Sequence, residues 1–197
     1  MEETKIRRII LAGKAASGKD HARKDLQELG LTYGVSYTTR KPRATEEEGK
    51  DYYFLSEEEF QKNIDDDVWF EYVQFNGWNY GTTKNQFNRD CEIFIMTPVG
   101  LSHLNEKERS ESLVIFLDIS FDVRKKRLLE RSDNDDSMNR RLAADEVDFM
   151  EFTDWDVKVS DHKFNMLEQI LIPAINEKQI TFNEHIINKL KKYEYQT

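Results

Sequence analysis

Residues 9–20 constrain this chain more than any other stretch. Four apolar residues, Ile9-Ile10-Leu11-Ala12, run directly into Gly13-Lys14-Ala15-Ala16-Ser17-Gly18-Lys19-Asp20. The apolar run predicts a buried strand over Lys5–Ala12. The residues from Gly18 to Leu29 predict a helix, with Gly30 as its stop. Strand, glycine-bearing turn and helix in that order open an α/β fold with a parallel sheet. The turn also has the spacing of a phosphate-binding loop. Gly13 and Gly18 let the backbone bend until several N–H groups converge on phosphate oxygens, and the helix points its positive end at the same place. Lys19 adds a point charge. All residues from Gly13 to Asp20 are therefore candidate phosphate contacts: Lys14, Ala15, Ala16 and Ser17 through the loop, Gly18 and Lys19 at the helix start. The last position usually carries a hydroxyl that ligates Mg²⁺. Here it is Asp20, a carboxylate and an equally hard oxygen donor, which makes it the candidate metal ligand.

The rest of the chain alternates in the same manner. Ser56-Glu57-Glu58-Glu59 is a capping box before a short helix over Glu57–Ile64. Trp69–Phe75 alternates like a strand and Asn76-Gly77 is a hairpin turn signal. Glu92–Thr97 and Leu113–Asp118 read as short buried strands. Ser120–Arg131 and Ser137–Phe152 read as helices, Trp155–Ser160 as a last strand. A helical region from about Lys163 to Lys192 is expected to break at Pro173.

At 197 residues, with 38% hydrophobic and 12% aromatic residues, the chain has the makings of one ordered domain. A net charge of −9 argues against nonspecific binding to a nucleic-acid polymer. The cations are nevertheless clustered: Lys14, Lys19, Arg23 and Lys24; Arg40, Lys41, Arg43 and Lys50; Arg124 to Arg127 with Arg131, then Arg140 and Arg141. Basic islands on an acidic chain suit a small, multiply anionic ligand. Cys91 is the single cysteine, so no disulfide forms within the chain and a reducing, cytoplasmic setting is expected. No apolar run reaches the ~20 residues of a membrane span. The acidic stretch Asp133–Ser137 is not a calcium loop, because Met138 and Ala144 stand where glycine and glutamate are required.

A longer pattern lies in the middle of the chain. Val35-Ser36-Tyr37-Thr38-Thr39-Arg40-Lys41-Pro42-Arg43 is followed by Glu46, Gly49-Lys50-Asp51-Tyr52 and Phe54. Then come Phe70-Glu71, Phe75-Asn76-Gly77 and Tyr80-Gly81-Thr82. Arg40 and Arg43 suit bidentate grip of a monophosphate, and Tyr52 and Tyr80 supply hydroxyl donors to it. This segment resembles the monophosphate-binding segment of guanylate kinases. The resemblance covers most of residues 6–160 and continues weakly through Arg127-Leu128, Arg131 and Arg140-Arg141-Leu142-Ala143-Ala144.

The resemblance implies a P-loop core with a parallel sheet flanked by helices (1–32, 86–123, 148–197), a monophosphate-binding insert (33–85) and a helical lid (124–147). It implies ATP and GMP or dGMP as substrates, Mg²⁺ as cofactor, and neither membrane nor nucleic-acid partners. Glu71 resembles the guanine-reading glutamate, whose carboxylate accepts from two donors that adenine lacks as a pair. Ser36 and Thr82 resemble the hydroxyl contacts to guanine O6. Lys19, Arg40, Arg131 and Arg141 stand where charge on the transferring phosphoryl group is stabilised.

The chain departs from the family at three places besides Asp20. Ile95 and Thr97 replace an acidic pair that supports guanine and the metal, leaving Asp118 as a substitute metal group. The adenine-contacting Asn-Asp pair is reduced to Ser160-Asp161. One alternative is the same kinase architecture with a different or broader base preference. A second is a noncatalytic binding module of this fold, which the intact Lys19 loop disfavours. A regulatory GTPase is disfavoured by the lack of an Asn-Lys-x-Asp tetrapeptide.

Overall fold

The computed structural model describes residues 5–43, 45–75, 77–88, 91–130, 135–177 and 181–194. The core is a parallel sheet of β1 (Arg8–Gly13), β6 (Ile93–Ile95), β7 (Ser112–Leu117) and β8 (Val157–Val159), in the order β6-β1-β7-β8. In β1 and β7 every residue is buried. The pleat divides them between two apolar layers. Ile9, Leu11, Leu113, Ile115 and Leu117 face α1 (Lys19–Glu28), the π-helical turn Met166–Leu171 and α9 (Glu184–Glu194). Ile10, Ala12, Val114 and Phe116 face Phe87, Leu101 and Phe149.

A second sheet, in the order β3-β2-β5-β4, is built from β2 (Tyr37–Thr38), β3 (Tyr53–Phe54), β4 (Trp69–Phe75) and β5 (Trp78–Thr83). β4 and β5 form an antiparallel hairpin that turns at Gly77, whose φ is +80°. Asn76 of the expected turn lies outside the described residues. Helix α2 (Glu57–Asp65) starts on the expected capping box, with Ser56 accepting from the Glu59 N–H and Glu59 from the Ser56 N–H. Its Phe60 is fully buried and stacks on Trp69, with ring centroids 4.4 Å apart. Short helices α3 (Lys84–Asn88), α4 (Pro98–Leu101) and α5 (Glu106–Ser110) lead from this sheet to β7.

Helices α6 (Phe121–Glu130) and α7 (Asp135–Asp148) lie in the connection from β7 to β8. The expected break at Pro173 is not observed. The π-helical turn Met166–Leu171 passes directly into α8 (Ile172–Glu177), and Pro173, with no N–H to donate, sits where the hydrogen-bond pattern changes from π to α. Residues 181–183, before α9, are not helical. Backbone bonds from Ile6 N–H to Thr181 O and from Asn183 N–H to Ile6 O tie the segment before α9 to the entry of β1.

Candidate active site

β1 delivers the chain into the loop at Gly13. A Cβ at Gly13 would fall 2.9 Å from the Leu117 backbone oxygen and 2.7 Å from Ser17 Oγ, so only glycine permits this packing. Gly18 caps α1 from a left-handed conformation, φ +105°. Lys19 folds back over the loop, donating to Gly13 O at 2.6 Å and Lys14 O at 3.1 Å. Gly13, Ala15, Ala16, Lys19 and Asp20 line one cavity. Ser17 is buried behind it. Lys14 turns away and donates to Glu146 Oε2 at 2.6 Å.

The same cavity is lined from the second sheet by Ser36, Arg40, Arg43, Tyr52, Glu71 and Tyr80. Arg40 is buried and pairs with Glu46 at 2.8 Å, and its guanidinium lies 5.4 Å from the Tyr52 ring centre. Burial alone would raise the Glu46 carboxyl. The Arg40 guanidinium, with the Arg43 N–H at 2.8 Å, holds it below the usual carboxylate range. Glu46 thus fixes both arginines. Its place six residues after Arg40 marked it only as a follower of the pattern. Burial pushes the Tyr52 hydroxyl well above its ordinary value, so Tyr52 remains a donor.

Glu71 sits on β4 beside a register shift in the β4–β5 pairing, opposite Thr82. Burial pushes its carboxyl up to about 7, with Thr82 pulling the other way. A Cβ at Gly100 would come within 3.1 Å of Glu71 Oε2, so α4 closes one side of this carboxylate. Thr82 is buried, paired with Glu71 across the β4–β5 register, and is not among the residues lining the cavity.

The other residues singled out in the sequence divide between the cavity and its surroundings. Ile95 and Thr97 do line the cavity, and Thr97 Oγ1 accepts from the Gly100 N–H as the cap of α4. Asp118 pairs with Lys158 at 2.7 Å and is not among the residues lining the cavity. Asp161 is exposed and accepts from the Lys163 N–H. Arg131 lies outside the described residues, and so does the side chain of Arg141. Arg127 reaches the loop, donating to Ala16 O at 3.0 Å.

The basic islands are partly neutralised within the protein rather than open to a ligand. Arg23 pairs with Asp51 at 3.1 Å, and Arg124, fully buried, pairs with Asp145 at 3.5 Å and Glu146 at 2.8 Å. Val73, Phe75, Trp78 and Asp145 also line the cavity. Of these, Asp145 had a signal in the sequence. It falls between Leu142 and Phe149 on the apolar stripe of its helix, where an acid is out of place.

A parallel sheet whose first strand feeds a phosphate loop, with a second sheet presenting arginines and a carboxylate to the same cavity, defines a P-loop nucleotide-binding protein. Residues 5–178 match the family model described as guanylate kinase. The chain is 35% identical to a guanylate kinase of Aster yellows witches'-broom phytoplasma, over 93% of this chain and 92% of that one. It is 34% identical to a guanylate kinase of Homo sapiens, over 72% and 77%. The crystal structure of guanylate kinase from Anaplasma phagocytophilum shares the fold, with a TM-score of 0.67 at 19% identity over 96% of each chain. The chain belongs to the guanylate kinase family.

Proposed function

We infer that this protein transfers the γ-phosphoryl group of ATP to GMP or dGMP. The observation that carries the reading is one cavity with Lys19 of the phosphate loop at one side and Arg40, Tyr52 and Glu71 at the other. In this reading the loop N–H groups and Lys19 hold the ATP phosphates. Arg40 and Arg43, fixed by Glu46, hold the acceptor monophosphate with Tyr52 and Tyr80. Glu71, once ionised, accepts from the guanine N1–H and amino group. Phosphoryl transfer then needs alignment and charge neutralisation, with no covalent intermediate and no general base. Arg131 and Arg141 are proposed to add positive charge from the lid (124–147) as it and the insert (33–85) close over the nucleotides.

The residues present fit Mg²⁺. Asp20 is an exposed carboxylate lining the cavity beside the phosphate loop. No cluster of three or more His, Cys, Asp or Glu suited to a metal exists among the described residues. One carboxylate, substrate phosphates and water is the usual Mg²⁺ environment in such enzymes. Bound there, Mg²⁺ would neutralise developing phosphate charge. Among the described residues no helix is long and apolar enough to cross a membrane, and we place the enzyme in the cytoplasm.

A broader base preference has a specific observation behind it. Ile95 offers no polar group, and the Thr97 hydroxyl already caps α4. A coupled assay with ATP and Mg²⁺ across the common ribo- and deoxynucleoside monophosphates separates the readings. GMP or dGMP is expected to give the highest kcat/KM. Lys19→Ala is expected to lower turnover about 10²–10³-fold with the fold intact. A pyrimidine monophosphate as best substrate would overturn the base assignment, and unchanged turnover in Lys19→Ala would overturn the reaction.

A further inference from the structure

Ala16 stands at φ +59° within the phosphate loop. A side chain in this left-handed conformation is unfavourable and persists only where its surroundings over-determine it. Two groups from outside the loop do so here. Arg127 of α6 donates to Ala16 O at 3.0 Å. On the other side, Asp145 of α7 accepts from the Ala15 N–H at 2.7 Å, across 130 positions of sequence.

Asp145 is itself held. It is 3% exposed, it meets Arg124 at 3.5 Å, and Arg124 is anchored by donating to Ile119 O at 3.1 Å. The neighbouring Glu146 binds Lys14, the residue before Ala15, at 2.6 Å. Helix α7 therefore grips two successive residues of the loop on the side leading into Ala16. A carboxylate fixed by a buried arginine is a rigid acceptor for one backbone N–H.

We propose that Asp145 is a positioning residue for the ATP site: its bond to the Ala15 N–H holds the phosphate loop, with Ala16 left-handed, in the shape that receives the nucleotide phosphates. The proposal rests on the reading of the loop as the ATP site. It makes α7 a brace of that loop as well as part of the lid, so that lid and loop settle together.

The test compares Asp145→Ala, which removes the acceptor, with Asp145→Asn, which keeps an oxygen for the Ala15 N–H. Both lose the charge beside Arg124, so both are expected to melt earlier than wild type. Asp145→Ala should raise KM for ATP about tenfold, the size of one lost charge-assisted hydrogen bond, with KM for GMP unchanged. Asp145→Asn should stay near the wild-type KM for ATP. Adding Ala16→Gly to Asp145→Ala should recover much of the loss, because glycine takes positive φ without steric cost. Equal KM shifts in the two single variants, an unchanged KM in Asp145→Ala, or a lower one would overturn the brace. A readout that needs no variant is amide exchange of the nucleotide-free wild type. Ala15 N–H is expected to be slow, and fast exchange there would overturn the proposal even if Asp145→Ala failed to fold. If the wild type moves no phosphoryl group from ATP to GMP, the ATP-site reading itself falls, a result separate from any of these.

Discussion

If Glu71 reads guanine as proposed, it is a carboxylate required in its charged form at a place that favours the neutral one. Burial lifts it to about 7 from an ordinary 4.5, so near neutral pH the free enzyme is divided between the two forms. Guanine recognition needs the ionised form, and KM for GMP should therefore fall as pH rises through about 7. Stability runs the other way. The stabilising contribution of the neutral carboxyl is fully present below its unfolded pKa and is lost as pH climbs through the folded value. Melting of the nucleotide-free protein between pH 4.5 and 8 should show that loss, and Glu71→Gln should remove it while weakening GMP. A flat KM profile in the wild type would mean that Glu71 does not read the base in its charged state. The residues of this site were legible because their chemistry is carried by runs of neighbours, from Ser36 to Arg43 and from Glu71 to Thr82. What sequence alone does not reveal is facing. Thr82 matches the pattern yet is buried and does not line the cavity, and Lys14 turns to Glu146 instead of the cavity. Spacing along a strand or loop names the neighbour but not the side when a bulge shifts the register, as it does between Trp69 and Glu71.

Among the elements, α2 rests most plainly on its first turn. Ser56 and Glu59 satisfy each other's backbone N–H groups, and Asn79 Nδ2 donates to Glu57 at 2.8 Å to join the helix to β5. Ser56→Ala should cost about 1 kcal/mol of stability, read by chemical denaturation, and leave kcat unchanged because the box lies outside the cavity. A change in kcat would show that α2 transmits strain to β4. Elements with strong local signals emerged with nearly their observed limits: Trp69–Phe75, and α2 itself. The small strands β2 and β3 carry no such signal. Each has two residues and exists only because a neighbour holds it in register, β5 for β2 and β2 for β3. Pro173 was misleading for the opposite reason. A proline breaks a regular α-helix, but here it falls where the π-helical turn passes into α8, in a run held by the packing of Met166, Ile170 and Leu171 into the core.

Across the whole molecule, α9 is fastened to the sheet by charge as well as by Ile186 and Leu190. Lys189 Nζ donates to the buried Glu92 at 2.5 Å, and Glu92 also accepts from the Thr32 N–H at 2.9 Å. Lys189→Met should destabilise the protein by about 1–3 kcal/mol, the cost of leaving a buried acceptor short of a donor, with KM for both nucleotides unchanged. A shift in either KM would mean that α9 reaches the site through β6. The sheet was foreseeable in class, because a phosphate loop after an apolar strand demands parallel neighbours. Its strand order was not, since the apolar runs at β6 and β7 look alike and only pairing tells which lies on which side of β1. That order also sets a schedule for the cell. Of the strands of this sheet, the earliest to be synthesised is an inner one, and the second of its flanking partners begins only at Ser112. At roughly 5–20 residues per second, the apolar strand β1 waits about 5–20 s of every round of translation for its second partner, and the newborn chain depends on that interval passing without a rival.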